Sequence, residues 1–456
     1  GIIIAGILFI MFKTISTDIS RKEILYALLL FTALVVIFFY DIIFLGKTLK
    51  CTNTIPQVLS TGVYGQENNY ISSIPVLDTS SAVEDETEVE YKKKNYRKGN
   101  MPLWNPYQAG GYPFLASMRS SMFNPFEIIN YILPSKYSWD IYLLFRLFFS
   151  GLFMYLYMRE VKYSFPASVT SAIAYMFSAP VIIYINDIQL NPSMLFPVLF
   201  FITEKLYQNR SKKNVIATSA VIALLIFSGF PEHVTMISII GTGYFLFRSA
   251  TGKEKILKSF GNISLAFTLG ILTGLIVIIP LIEFLFFNGW TNHAPDTGLK
   301  SVNLTKILYM FIPYFKQAFY QYYIGIIPFL LIFLAFNGKE DNKIIYYFGT
   351  VLFLLTGKIF GLPVINLIGY IPVLNLIDFP YNTGQILAFI TSILAGTGIE
   401  QIYSGKIKPF FIYIAILICI TLISLPYIIY PPDIFNNLVY RHISIKLLLL
   451  FSALLL

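Results

Sequence analysis

Residues 260–287 read Phe260-Gly-Asn-Ile-Ser-Leu-Ala-Phe-Thr-Leu-Gly-Ile-Leu-Thr-Gly-Leu-Ile-Val-Ile-Ile-Pro-Leu-Ile-Glu-Phe-Leu-Phe-Phe287, and the one charged residue, Glu283, stands near the far end. Roughly 20 mainly apolar residues suffice to cross the hydrocarbon of a bilayer as a helix. The alternation of a half-buried strand is absent, and open backbone cannot face lipid, so helix is the expected conformation. Working outward, similar runs occupy about 24–45, 139–158, 165–185, 191–207, 214–229 and 232–248, then 323–336, 343–357, 382–402 and 409–430, with a last one from 444. Of the 456 residues 56% are hydrophobic and 12% charged, with a mean hydropathy of +0.69, which excludes an ordinary soluble domain. The expectation is an all-α, polytopic membrane helix bundle of about 11–13 transmembrane helices, one transmembrane domain over 1–456. The chain starts with a short apolar run, Gly1 to Phe12, and stops inside another, Leu447 to Leu456. Both ends read as truncations, the first as the tail of an earlier helix rather than a signal peptide.

The flanking charges orient these runs. One set of alternate connections holds Lys13, Arg21 and Lys22, then Arg159 and Lys162, then Lys205, Arg210, Lys212 and Lys213. It continues with Arg248, Lys253, Lys255 and Lys258, then Lys339 and Lys343, then Lys406 and Lys408. The opposite short connections hold Lys300, Lys306, Lys358 and Arg441, a bias of 17 to 4 that makes the first face cytoplasmic. The formal charge of +9 is therefore an orienting charge, and a nucleic-acid partner is excluded. Cys51 and Cys419 offer neither a disulfide framework nor metal-ligand spacing.

Three segments then fall outside the cell membrane. The first, 46–138, is far longer than a connection requires, and such loops are usually functional or disordered. Within it, Asp78 to Tyr96 carries Glu84, Asp85, Glu86, Glu88 and Glu90 ahead of Lys92, Lys93, Lys94 and Arg97, which predicts a solvated, mobile excursion. Met101 to Pro134 mixes Pro and Gly with aromatic rings such as Trp104, beside Asn105, and predicts an ordered platform at the lipid headgroup level. The second segment is the tight turn Gly229-Phe-Pro-Glu-His233, where Glu232 and His233 fit a general base and its partner, or equally a helix N-cap. The third, Phe287 to Lys306, holds Trp290, His293 and Asp296 and precedes an aromatic segment, Ile307 to Tyr322, suited to anchoring at the interface. Inside the runs, charges are few: Asp41, Arg146 and Glu283. An ionisable group in hydrocarbon costs several kcal/mol unless paired or hydrated, so each is a functional candidate. Asp41 and Arg146 read either as a buried pair joining two helices or as an acid and a phosphate-binding base lining one cavity.

Pro102-Leu-Trp-Asn-Pro-Tyr, Gly110-Gly-Tyr-Pro-Phe-Leu-Ala and Phe123-Asn-Pro resemble the first exterior loop of the YfhO-type bacterial membrane proteins. So do Ser228-Gly-Phe-Pro-Glu-His, Ile279-Pro-Leu-Ile-Glu283, Tyr323-Ile-Gly325 and Leu394-Ala-Gly-Thr-Gly398, in the same order and spacing over nearly the whole chain. Those proteins are similar to the GT-C class of glycosyltransferases. The resemblance implies a membrane enzyme that takes a sugar from a polyprenyl-phosphate carrier and passes it to a cell-wall or surface polymer. The chain departs from the class pattern at Lys50-Cys-Thr-Asn53, where an acid usually stands, and at Asp378-Phe-Pro-Tyr-Asn382, where relatives often carry arginine.

Such a transfer needs a carboxylate to take the acceptor's proton and positive charge to hold the leaving phosphate. Asp41, Glu232 and Asp187 are the candidates for the base. Arg146 and Arg119 are the candidates for phosphate, with Trp104, Asn105, His233 and Glu283 as further substrate contacts. The pattern fixes no cofactor, and a cation such as Mg²⁺ fits this chemistry. No Walker or GxGxxG pattern marks a nucleotide site. The competing class is a non-catalytic transporter or assembly subunit that binds lipid-linked saccharide.

Overall fold

The computed structural model describes residues 19–50, 84–108, 110–252, 256–287, 297–304, 307, 310, 322–336, 343–405, and 407, 410, 411, 413, 414 and 417. Outside these lie the first apolar run, residues 51–83, the late segment with Trp290, His293 and Asp296, both cysteines, and nearly all of the chain past 409.

Every apolar run that falls on described residues is helical. The long elements are α1 (Arg21–Phe38), α2 (Glu86–Arg97), α3 (Ser135–Glu160), α4 (Phe165–Met176), α5 (Phe196–Gln208), α6 (Lys212–Phe227), α7 (Pro231–Thr251), α8 (Ile256–Phe287), α9 (Ile326–Phe336), α10 (Lys343–Ile359) and α11 (Gly384–Tyr403). Among the described residues no strand forms, only an isolated antiparallel bridge between Asn105 and Tyr112.

Among the described residues three helices are long and apolar enough to cross a membrane: α3, residues 259–287 of α8, and α11. A fourth crossing results if α10 and the following Pro363–Tyr370, bent 85° from it, count as one span. The runs expected at 165–185 and 191–207 are each split. Pro180 opens a short helix after α4, and Pro192 and Pro197 divide the second run. Proline lacks the N–H that would continue a helix and is accommodated in its first turn, so each split restarts at one.

The core is a bundle in which α3 lies along α4 and α5, α11 along α4, α9 and α10, and α6 along α8. Glycines allow the closest approaches. A Cβ at Gly396 would collide with Ser171 Oγ on α4, and one at Gly398 with the Leu331 carbonyl on α9. The Leu394-Ala-Gly-Thr-Gly398 run is thus a seam of small residues that brings two helices onto α11. On α8, by contrast, Leu265, Leu272, Ile276, Ile279 and Phe286 are exposed. A contiguous apolar face of that extent is foreign to the surface of soluble monomers.

Alternate connections collect at opposite ends of the bundle. At one end Arg159 pairs with Glu23 (2.6 Å), Lys205 with Glu160 (3.5 Å) and Arg248 with the fully buried Glu204 (2.5 Å), while Glu400 accepts the Ser164 N–H (2.7 Å). At the other end Asp140 accepts the Leu49 N–H (2.8 Å), Asn186 donates to Leu49 O (2.7 Å) and Lys300 pairs with Asp378 (2.7 Å). Ser121 of the platform donates to Ser228 O (2.8 Å), which fastens the Gly229–His233 turn to this second end. The turn is tight because Gly229 (φ +83°) and Phe230 (φ +58°) are both left-handed, and a Cβ on Gly229 would lie 2.7 Å from Ser121 Oγ.

The charged stretch before the platform corrects one expectation. From Glu86 onward it is the helix α2, not a solvated excursion, and Glu88, Val89, Lys92 and Lys93 are buried against the platform. Lys92 Nζ donates to Glu127 Oε2 and to Ser120 O, both at 2.5 Å. Lys93 Nζ donates to Leu133 O and Ser135 Oγ, both at 2.9 Å. Lysine ammonium groups enter an interior only where acceptors meet them, and here each finds two.

Candidate functional site

The platform end holds a buried cluster of charge. Arg146 sits three turns into α3 and is 1% exposed. Its guanidinium donates to Asp187 O (3.0 Å), to Asn191 Oδ1 (2.7 Å) and to Ile185 O, and lies over the Tyr142 ring with 4.9 Å to the centroid. All its hydrogen bonds thus go to neutral oxygens. The broken helix after α4 supplies them, because a run interrupted at Pro180 and Pro192 leaves carbonyls without intrahelical partners. Tyr142 OH donates to Asn191 Oδ1 (2.6 Å) and accepts from Asn124 Nδ2 (3.2 Å), and Asn191 Nδ2 reaches Ser121 Oγ (3.3 Å). One side chain, Asn191, thereby ties the bundle to the platform.

Carboxylates come from the loop. Arg146, Asp85, Glu88, Lys92, Glu127, Tyr142 and Asn191 together line a cavity of about 20 Å³. That is room for about one water molecule. Arg119 lies alongside, 3.0 Å from Glu84 and 3.6 Å from Asp85, and its guanidinium also feels Asp187 and Glu88. Burial opposes its charge, yet the surrounding carboxylates outweigh burial and raise its pKa further.

Glu88 is the unusual member. It is 4% exposed, and burial lifts its pKa to about 7, against the opposing pull of the Tyr112 hydroxyl (2.5 Å to Oε1) and of Lys92. Tyr112 OH is itself held well above its ordinary range by burial and by Glu88. A carboxyl that changes charge near neutrality beside guanidinium groups has the properties of an acid–base residue next to an anion site.

Of the residues expected from sequence, the structure brings Arg146, Arg119 and Asp187 together. Asp187 Oδ1 accepts the Gln189 N–H (2.7 Å), which fixes the loop that feeds carbonyls to Arg146. Asp41 does not pair with Arg146; it pairs with Lys47. The turn at Leu45–Gly46 brings that ammonium back over the helix end, whereas Arg146 is enclosed by the 185–191 loop. Glu232 is half-buried in the first turn of α7, and His233 beside it is fully buried, with Nδ1 3.3 Å from Gln189 O. Trp104 is exposed and offers its carbonyl to Tyr91 OH (2.6 Å). Asn105 is buried and closes the platform turn through Gln108 Oε1 and the Tyr107 N–H, both at 3.0 Å. Glu283 is exposed on α8, and none of the cluster's hydrogen bonds reaches it.

Asp85, Glu88, Lys92 and Glu127 were not singled out from sequence. The signal was present: residues 85, 88, 89, 92 and 96 recur at helical spacing, so Val89 and Tyr96 mark a face that must pack. Among the described residues no group of three or more His, Cys, Asp or Glu side chains is placed to hold a metal ion. Compared with protein-family models, curated proteins and solved structures, the chain gives no match.

Proposed function

We propose that this chain is a multi-pass protein of the cell membrane, GT-C-like in architecture with about 11–13 spans, whose platform end faces the exterior. Its function on this reading is to transfer a sugar from a polyprenyl-phosphate carrier to a surface polymer. The observation that carries the reading is the buried Glu88, with its pKa of about 7, in the same charge cluster as Arg146 and Arg119. The apolar face of α8, the charge bias of the connections and the motif resemblance agree with it.

In the reaction the acceptor hydroxyl oxygen attacks the anomeric carbon of the donor. The bond from that carbon to the phosphate oxygen breaks, and the phosphate leaves with the bonding pair. Glu88 takes the hydroxyl proton, and Asp187, Asp41 and Glu232 are the alternatives to be tested beside it. Arg146 and Arg119 stabilise the charge that gathers on the phosphate, a role suited to planar guanidinium groups in a water-poor site. A cavity of about 20 Å³ cannot admit a sugar phosphate, so donor entry requires α2 to part from the bundle. The same closure favours a second reading, a non-catalytic subunit that binds lipid-linked saccharide, because the cluster's charges already compensate one another.

The test is transfer by the purified chain in vesicles containing polyprenyl-phosphate sugar. Glu88→Gln should abolish transfer while the protein still folds and retains donor, and Arg146→Ala should weaken donor binding. Full activity in both variants refutes the site. A folded wild type that retains donor but transfers nothing selects the second reading.

A further inference from the structure

The face of α2 turned away from the cluster borders a second concavity, a groove of about 790 Å³ between α2 and the Asn105–Gln108 turn. Its size is that of a ligand site, some forty times the cavity around Arg146. Three exposed cations line it, Lys94, Arg97 and Lys98, against one exposed carboxylate, Glu90. Lys93 contributes its stem only, since its ammonium is committed to Leu133 O and Ser135 Oγ.

The rest of the lining is aromatic and amide. Tyr107 is 77% exposed, and its ring stands edge-on to Tyr91 at 5.7 Å, while Tyr91 is fixed from behind by Phe114 (5.5 Å) and by its hydroxyl on Trp104 O. Asn105 Nδ2 donates to Gln108 Oε1 (3.0 Å), and Gln108, whose amide also carries N–H donors, is part of the groove's lining. An exposed ring held rigidly, with an amide donor beside it, suits the apolar face and hydroxyl edge of a sugar ring. Cations along one wall add a requirement for negative charge.

We propose that this groove docks an anionic glycan chain, with Tyr107 and Gln108 meeting its sugar rings and Lys94, Arg97 and Lys98 its acidic groups. The inference rests on the proposed function in one respect, that a polymer acceptor approaches the platform end. It deepens that reading, because α2 carries the groove on one side and Glu88 on the other. An acceptor held there lies about one helix diameter, roughly 10–12 Å, from the carboxyl that would take its proton. The anionic groups can be phosphates or carboxylates, and the guanidinium and ammonium groups accept both.

The experiment is equilibrium binding to the full chain in detergent, using a sugar-phosphate oligomer, an oligogalacturonate and a neutral maltohexaose of matched length. The anionic oligomers should bind and weaken as salt rises, and the neutral one should bind far less. Reversing two exposed charges (Lys94→Glu with Arg97→Glu) should weaken the anionic probes by about tenfold or more at low salt. Tyr107→Ala should weaken every probe that binds, with thermal stability unchanged, since its ring is exposed and the turn bond uses its backbone N–H. A preference between the two anionic oligomers identifies the acidic group. Equal binding of neutral and anionic probes, no binding of either anionic probe, or undiminished binding by the charge-reversed variant overturns the proposal. Binding is read without transfer, so lost transfer with intact binding faults the proposed chemistry, and lost binding with intact transfer faults the groove.

Discussion

The ion pair between Lys92 and Glu127 should hold α2 to the platform, and Lys92→Met tests this directly. Both side chains are almost wholly enclosed, at 2% and 3% exposure, and lie 2.5 Å apart, so solvent screening does little to weaken the pair. Methionine keeps most of the volume but strands the Glu127 carboxylate, which among the described residues retains only the Tyr131 hydroxyl at 2.8 Å, and takes the Lys92 donor from Ser120 O. Removing one partner of a buried pair costs about 3–5 kcal/mol. Since about 1.4 kcal/mol is a factor of ten, α2 amides should exchange roughly a hundredfold to a few thousandfold faster, up to the limit set by the local opening free energy. The double variant Lys92→Met with Glu127→Gln should recover part of the loss, because no uncompensated charge remains. Hydrogen exchange on the four proteins of this cycle, followed at 86–97 and at 121–134, is the assay. A single-variant loss below about 1 kcal/mol, or losses that simply add, would show that the pair does not fasten this layer.

Other expectations concern pH, packing and topology. Glu88 has its folded pKa raised by burial from 4.5 to about 7, so its protonated form favours the docked α2. That contribution is fully present below about pH 4.5 and declines as pH rises through about 7, so α2 protection should fall across that window, and Glu88→Gln should flatten the profile. If Glu88 is also the base, transfer should rise through the same pH range in which docking weakens. Gly398→Ala should lower thermal stability by about 1–3 kcal/mol, since its Cβ meets the Leu331 carbonyl backbone, while Gly405→Ala, with open space around it, should be limited to the cost of its left-handed φ; equal effects would discount the seam. A cysteine at Ser211 should be labelled only from the cytoplasmic side, and labelling from outside would reverse the assigned orientation.

Where sequence alone sufficed, one residue type dominated the local energetics. Long apolar runs became α3, α8 and α11, and the prolines that split the runs at 165–185 and 191–207 were visible at 180, 192 and 197. Their consequence was not visible. A broken helix supplies backbone carbonyls, and those carbonyls satisfy Arg146 in place of the Asp41 carboxylate that one reading of the sequence assigns to it. A buried Asp41–Arg146 pair is one of two readings of the charges inside the runs, but Lys47 lies six residues from Asp41 and reaches it without any tertiary contact. Depth constrains which layer a charge occupies; it does not constrain the angle at which its helix presents it.

The charged stretch before the platform shows the opposite failure. High charge and low hydropathy argue for a solvated segment when a chain has nothing else to pack against. Here a neighbouring platform rich in carbonyls and aromatic rings gives Lys92, Lys93 and Glu88 partners some 24–42 residues along the chain, at Tyr112, Ser120, Glu127, Leu133 and Ser135. The stretch is amphipathic in a sense that hydropathy scales miss, because its packed face is made of charges that find acceptors, with Val89 and Tyr96 as its apolar marks. Such a face can also come away at modest cost: each ion leaving the interior regains hydration, whereas an apolar face would gain nothing from water. On the proposed function, a helix docked through charge is suited to cover the site and to release it when the donor supplies the competing phosphate.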